Sequence, residues 1–284
     1  MHAKIYLAIV DDYLRPSLFE LNRACLARGV PLFLVKPVGV RAWIGPLVVA
    51  GQTACWRCLE YRLRANREVE AYIERRTGKR MPLALPRARV PLFERHASSV
   101  AITQLVRFLT TGANPGLGSH VLVTDLTSLT FERHPIVRRP QCPDCGNPRL
   151  GTRAGLPVQL TAQRVAGEST SGMRRDEPEA VLQRYQHHVS PLTGIVREMT
   201  PSAWHGAGPL RVYMAGHNFA LKNDHLFLLK DGLRNNSSGK GRTEAQARTS
   251  ALCEALERYS GVFRGDEPRR PAPFSWTPPI PLPS

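Results

Sequence analysis

Two Cys-x-x-Cys pairs, Cys55/Cys58 and Cys142/Cys145, constrain this chain more than any other feature. Two thiolates separated by two residues bind a metal from one knuckle, and two knuckles fill the four positions of tetrahedral Zn2+. With every position taken by a thiolate no water can be activated, so such a centre is structural. Residues 59–141 lie between the pairs, which makes the centre a staple across a folded domain and not a small zinc ribbon. The alternative is that one pair is a redox dithiol. In a cytosolic chain two such pairs point to metal more than to disulfides.

The chain around these pairs reads as α/β. Residues 4–10 predict a buried strand, rich in Ile, Leu and Val. A helix over about 17–29 follows, ended by Gly29, with Cys25 on its apolar stripe as core filler. Strands are predicted at 31–36 and at Arg41–Ala50. Strand–helix–strand at this spacing implies a right-handed crossover and a parallel sheet. No G-x-G-x-x-G follows the first strand, so a bound dinucleotide is not supported. A helix is predicted over about 55–76, a Pro-rich connection over 82–91 and a helix over about 96–111. HVLVTDL and SLTFERHPIV alternate like paired strands. Residues 147–176 read as a linker. Beyond them come a helix over about 177–187 and strands at 211–216 and 225–230. His187-His188 reads as a helix-end pair beside solvent.

A length of 284 residues leaves room for two domains, each able to bury a core. No run of about 18 apolar residues exists, so no membrane span is expected. The N-terminal apolar run ends at Asp11-Asp12 without a small-residue cleavage site, which points to a cytoplasmic protein. The net charge of +16 invites a nucleic-acid reading, but the Arg residues are spread along the chain without one aromatic-interleaved patch. No nucleic-acid partner is expected.

Ser237–Gly261 predicts a glycine-rich turn running into one long helix. Thr243 is a good N-cap, and Gln246 stands where a capping box wants it. At about 100° per residue, Ser250, Glu254 and Glu257 fall within roughly 60° of one another, with Arg258 beside them. Leu252, Ala255, Leu256 and Tyr259 fall on the opposite side. Two carboxylates one turn apart can hold Mg2+, and an Arg with a Gly-Lys turn can hold phosphate. The alternative is a solvated helix face. The turn is not a Walker A loop, because the glycine spacing is wrong and Gly241 replaces the needed Ser/Thr.

Ser238-Gly239-Lys240-Gly241, Gln246-Ala247-Arg248 and Ser250 through Tyr259 resemble, almost without gaps, the start of the YcaO domain. The resemblance implies an ATP–Mg2+ site unrelated to P-loops to which Ser250, Glu254 and Glu257 belong; Lys240 and Arg258, read from the turn and the helix face as phosphate holders, complete the expected nucleotide-binding residues. It implies ATP-dependent activation of a peptide amide oxygen, with closure of a neighbouring Cys, Ser or Thr side chain to a thiazoline or oxazoline. No catalytic residue is assigned. Asp11 to Gly146, through DDYLRP, WIGPLVVAGQTACWRCLEYRLRANR and RRPQCPDCG, is similar to the zinc-bearing partner domain of thiazole/oxazole-modified microcin (TOMM) cyclodehydratases, which is related to ubiquitin-activating enzymes. That resemblance implies that Cys55, Cys58, Cys142 and Cys145 hold zinc and that the domain docks the YcaO domain and helps present a precursor peptide.

The expected organisation is therefore a ubiquitin-activating-enzyme-like α/β domain at 1–150, a linker at 151–176, a partial α+β YcaO domain at 177–270 and a Pro-rich disordered tail at 271–284. The leader-gripping winged-helix module of the family is expected to be missing, and a frameshift or early stop is expected after about Arg270. The match of Pro279-Ile280-Pro281-Leu282-Pro283 to the family's catalytic tail is read as coincidence. Two functions follow. One is azoline formation in bacteriocin biosynthesis, as an incomplete chain. The other is a non-catalytic zinc scaffold presenting precursor peptide to a separate YcaO protein. A leader-binding protein is a further expected partner, and a homodimer is left open.

Overall fold

The computed structural model describes residues 5–78, 89–147, 150, 161–162, 175–203, 208–217, 226–232 and 235–262. The predicted linker lies largely outside these residues, as does most of the Pro-rich connection, and the tail lies wholly outside them.

The first half is a five-stranded sheet in the order β1-β2-β3-β4-β5: β1 (Tyr6–Ile9), β2 (Leu32–Lys36), β3 (Arg41–Val48), β4 (His120–Asp125) and β5 (Thr130–Pro135). Helix α1 (Ser17–Arg28) makes the crossover from β1 to β2, and these two strands are parallel. Gly29 ends α1 in the left-handed conformation, φ +63°. Every other pairing is antiparallel, so the expected parallel sheet is corrected to a mixed one. The four residues between β2 and β3 are too few for a crossover, and a short link joins antiparallel strands. The expected buried first strand is also corrected. β1 is the sheet edge, and Tyr6, Leu7 and Ile9 are exposed. The hairpin of β4 and β5 matches the alternation in the sequence.

Strand β2 is buried throughout and divides the core by alternation. Leu32 and Leu34 face α1 and α2 (Trp56–Ala65), where Trp56, Leu18, Leu59 and Leu63 pack. Phe33 and Val35 face the other layer, with Ile44, Leu117 and Ala101 of α4 (Pro91–Thr111). Cys25 is core, as its place on the α1 stripe implied. The indole Nε1 of Trp56 donates to Tyr13 O at 2.7 Å. The buried Tyr13 hydroxyl donates to the Gly45 carbonyl.

The single helix expected over 55–76 is two helices, α2 and α3 (Glu68–Thr77), broken at Asn66-Arg67. The break has a tertiary cause. Asn66 Nδ2 turns away to donate to Leu192 O at 3.0 Å and Gly194 O at 3.2 Å.

The second half is a three-stranded antiparallel sheet, β6 (Val196–Pro201), β7 (Arg211–His217) and β8 (Asn236–Gly241). Helices α5 (Pro178–Tyr185) and α7 (Glu244–Ser260) accompany it. Ala247, Ala251, Leu252 and Ala255 of α7 pack on Val196, Tyr213 and Ala215. The strand expected at 225–230 is instead α6 (Leu226–Gly232). A short apolar run does not separate helix from strand by periodicity, and leucine favours helix. Among the described residues no helix is long and apolar enough to cross a membrane.

The turn Ser190–Gly194 docks the second half on the first. Buried Arg62 of α2 donates from Nε to Thr193 O at 3.1 Å and from Nη2 to Gly194 O. Thr193 Oγ1 donates to Pro135 O at 2.6 Å, and His134 Nδ1 meets Ser190 Oγ at 2.9 Å. A Cβ on Gly194 would strike Ser190 N, Val196 O and His188 O, so this turn requires glycine.

His188, on the 3-10 turn Gln186–His188, is partly buried beside the docking turn and not simply at solvent. Desolvation, then His187 and Arg62, push it from the ordinary 6.5 down to about 4. His134 is lowered as well, chiefly by burial. Both are therefore neutral in the fold at pH values where the unfolded chain has begun to bind protons. Stability is full above 6.5 and falls as pH drops from 6.5 towards about 4. We expect the urea midpoint to fall across that window, and His188→Gln to flatten the slope. An unchanged slope in the variant would remove His188 from this role.

Candidate functional site

The first cluster is built from the start of α2 and the turn after β5. Cys55 is the N-cap of α2 and Cys58 lies in its first turn. The four Sγ atoms of Cys55, Cys58, Cys142 and Cys145 lie within 4.8 Å of one another, and all are free thiols. Sγ of Cys55 is 3.7 Å from that of Cys142, and Sγ of Cys58 is 3.6 Å from that of Cys145. Zn–S bonds of about 2.3 Å in a tetrahedron place sulfurs about 3.8 Å apart, whereas a disulfide needs about 2.05 Å. The separations fit four thiolates around one zinc. The short contacts run across the two pairs, which joins them in one cluster; a lone redox dithiol would not require this.

The surroundings suit a thiolate centre. The backbone N–H of Arg139 donates to Cys58 Sγ at 3.4 Å. A Cβ on Gly146 would lie 2.7 Å from Cys142 N and 2.8 Å from Arg139 O, so the second knuckle requires glycine. Asn22, fully buried on α1, accepts from Trp56 N at 3.0 Å and donates to Asp144 at 2.9 Å, tying both knuckles to one side chain. The Arg138 guanidinium donates to Cys145 O, and Arg57 lies over the Phe19 ring nearby. Four thiolates around one Zn2+ would carry two net negative charges, part of which the Arg138 guanidinium would offset. The sulfur–sulfur hydrogen bonds act in opposite directions on their partners: they lower Cys142, chiefly through Cys145, and raise Cys55 and Cys58, chiefly through Cys142.

The second cluster is β8 and α7. The expected glycine-rich turn is corrected: Asn236–Gly241 is a strand, paired residue for residue with β7. Its glycines answer a packing demand. A Cβ on Gly239 would fall inside the contact surfaces of Ala247 O and Ala251 N, and one on Gly241 would strike Gln246. The capping box expected of Thr243 and Gln246 forms in full. It stabilises the helix start by about 1 kcal/mol.

The five residues expected at a nucleotide site fall into three places. Lys240 and Ser250 line one cleft of about 270 Å³. Glu254 and Arg258 close on each other at 2.7 Å, and Glu254 also accepts from Ser238 N at 3.2 Å. Glu257 is exposed one turn further along α7. The Glu254–Arg258 pair is solvent-accessible and of the kind worth under about 1 kcal/mol, so a cation can displace the guanidinium at little cost. Arg175, Asp176 and Cys253 also line the cleft. Sequence reasoning missed Arg175 and Asp176 because they end a stretch read as linker; the signal was the helix-start sequence Asp176-Glu177-Pro178. His217 is buried at the end of β7, with Nε2 3.1 Å from Ser237 Oγ. Desolvation, then Arg258, lowers its pKa.

The sequence profile of the YcaO cyclodehydratase family, described as ATP- and Mg2+-binding, matches residues 238–277. That span includes Lys240 and the whole of α7. The fold is similar to a heterocyclase in complex with substrate and cofactor, at 37% identity and TM-score 0.84, covering 94% of this chain and 36% of that one. It is similar to the heterocyclase TruD at 31% identity and TM-score 0.65, covering 94% of this chain and 32% of TruD. The chain thus spans about a third of the length of these heterocyclases. No curated protein sequence matches it.

The contact of β8 with α7 gives a direct test of the site's scaffold. Gly239→Ala should destabilise the protein by about 3 kcal/mol or more, because the backbone of α7 must move. Gly261→Ala, whose Cβ would meet nothing nearer than 3.6 Å, should stay within about 0.5 kcal/mol. Urea unfolding of the two variants checks both values, and equal midpoints would contradict the close approach.

Proposed function

We propose that this chain takes part in ATP-dependent cyclodehydration of Cys, Ser or Thr residues in a ribosomal precursor peptide, as TOMM-type bacteriocin pathways require. The observation that carries this reading is the convergence on β8 and α7. The stretch that matches the YcaO profile presents Lys240 and Ser250 to one cleft, with Glu254 and Glu257 on the same helix. The likeness to two heterocyclases over 94% of the chain supports it.

In this reading Lys240 and Ser250 would hold phosphate oxygens, with Arg175 at the same cleft. Glu254 and Glu257 would offer hard oxygen ligands to Mg2+, freeing Arg258 to turn to phosphate. ATP, once bound, would activate the amide oxygen so that it leaves with phosphate as the neighbouring side chain closes on the carbonyl carbon. The residues named here bind and orient; none is assigned a proton transfer. Cys55, Cys58, Cys142 and Cys145 would hold one structural zinc, and the first sheet would present the peptide to the nucleotide face.

Purified protein given ATP, Mg2+ and a Cys/Ser/Thr-rich precursor should yield peptide lighter by one water per ring, with peptide-dependent ADP release. Glu257→Gln should lower that rate at least about a hundredfold if a metal ligand is lost. Full turnover by this variant would contradict the site. Peptide binding without any ATP turnover would favour the scaffold role. Separately, the protein should carry one zinc per chain by elemental analysis, and Cys142→Ser should lose it.

A further inference from the structure

We propose that the four-cysteine centre sets the docking of the nucleotide face, with Arg62 as the positioning residue between them. This rests on the reading of the cysteines as a zinc centre.

Helix α2 carries both devices on one stripe. Cys55, Cys58, Arg62 and Asn66 stand at i, i+3, i+7 and i+11, which share a helix face. The N-terminal end of the stripe grips Cys142 and Cys145. The C-terminal end grips the docking turn, with Arg62 on Thr193 and Gly194 and Asn66 on Leu192 and Gly194. The opposite side of the same turn is held by the end of β5, through His134 on Ser190 and Pro135 on Thr193. The chain leaving β5 reaches the second cysteine knuckle within seven residues. The two elements that hold the turn are thus the two elements that the sulfurs hold together. Arg139 strengthens the same junction, its guanidinium 3.5 Å from the centre of the Tyr61 ring.

Arg62 extends the link to α7. Its guanidinium lies 5.2 Å from the centre of the Tyr259 ring. Tyr259 directly follows Arg258 and stands two residues after Glu257. A bound zinc fixes the register of α2 against the knuckle, and α2 in turn fixes both the docking turn and the last turn of α7. A lysine at position 62 would keep the charge over the ring but lose the planar fork that reaches two carbonyls.

Hydrogen exchange measured by mass spectrometry, with zinc counted in parallel, tests this. When zinc is removed by a chelator, amides of 190–196 and 256–260 should exchange at least about tenfold faster, while those of β2 and β3 stay protected. In zinc-loaded protein, Arg62→Gln should reproduce the loss at both segments with zinc content unchanged, and Arg62→Lys should restore protection only at 256–260. Zinc bound with unchanged exchange after removal would overturn the coupling and leave the zinc reading intact. No zinc bound would overturn both. If removal unfolds the first sheet, the zinc-loaded Arg62→Gln protein decides, and wild-type exchange there would overturn the proposal.

Discussion

Four sulfurs within 4.8 Å, nearly all buried, are the constraint on which the first half depends. Thiols are weak donors, and hydrogen bonds among them do little to offset the entropy of holding two distant knuckles together. A divalent cation would change the balance, because metal binding to a site absent in the unfolded chain adds directly to folding free energy. The core is built to the same requirement. Asn22, a polar residue in a fully buried place, engages both ends of its amide, with α2 and with the Asp144 knuckle. Trp56, between the two cysteines of the first pair, is the largest fully buried side chain among the described residues and donates its one N–H to Tyr13 O. Asn22 and Trp56 thus tie the start of α2 to α1 and to the second knuckle, which brings the two cysteine pairs side by side.

Features that are local in sequence were legible. The capping box of α7, its packed face through Leu252 and Ala255, the stop at Gly29 and the β4–β5 hairpin all rest on residues within one or two turns of one another. Features decided by distant partners were not. Asn66 breaks a helix because residues 192 and 194 take its side chain. The apolar run of β1 could not disclose that it lies at a sheet edge. Leu226–Gly232 carries a pattern that fits either helix or strand, and it forms a helix.

The site divides along the same line. The cysteine spacing was enough to name all four sulfurs, because a knuckle is a local motif. For the proposed nucleotide face the spacing placed Ser250, Glu254 and Glu257 on one side of a helix. It could not tell that Glu254 would reach back to the edge of β8, or that Arg175 would come from across a linker to share a cleft with Lys240. The profile match follows this limit, covering residues 238–277, while likeness of fold extends over 94% of the chain.

The glycines of Ser238-Gly239-Lys240-Gly241 mark the difference between this site and a phosphate loop. In a P-loop, glycine lets the backbone itself approach the phosphates. Here the strand period of two sends Gly239 and Gly241 towards α7, where no Cβ fits, and turns Ser238 and Lys240 outward. The glycines thus bring the strand and the helix together, and the polar side chains between them stay available. A nucleotide held here would be gripped by side chains, Lys240 from the strand and Ser250 from the helix. Its affinity should then depend on the strand–helix distance more than on the conformation of any loop. The two glycines in four residues are required by that close approach of strand and helix.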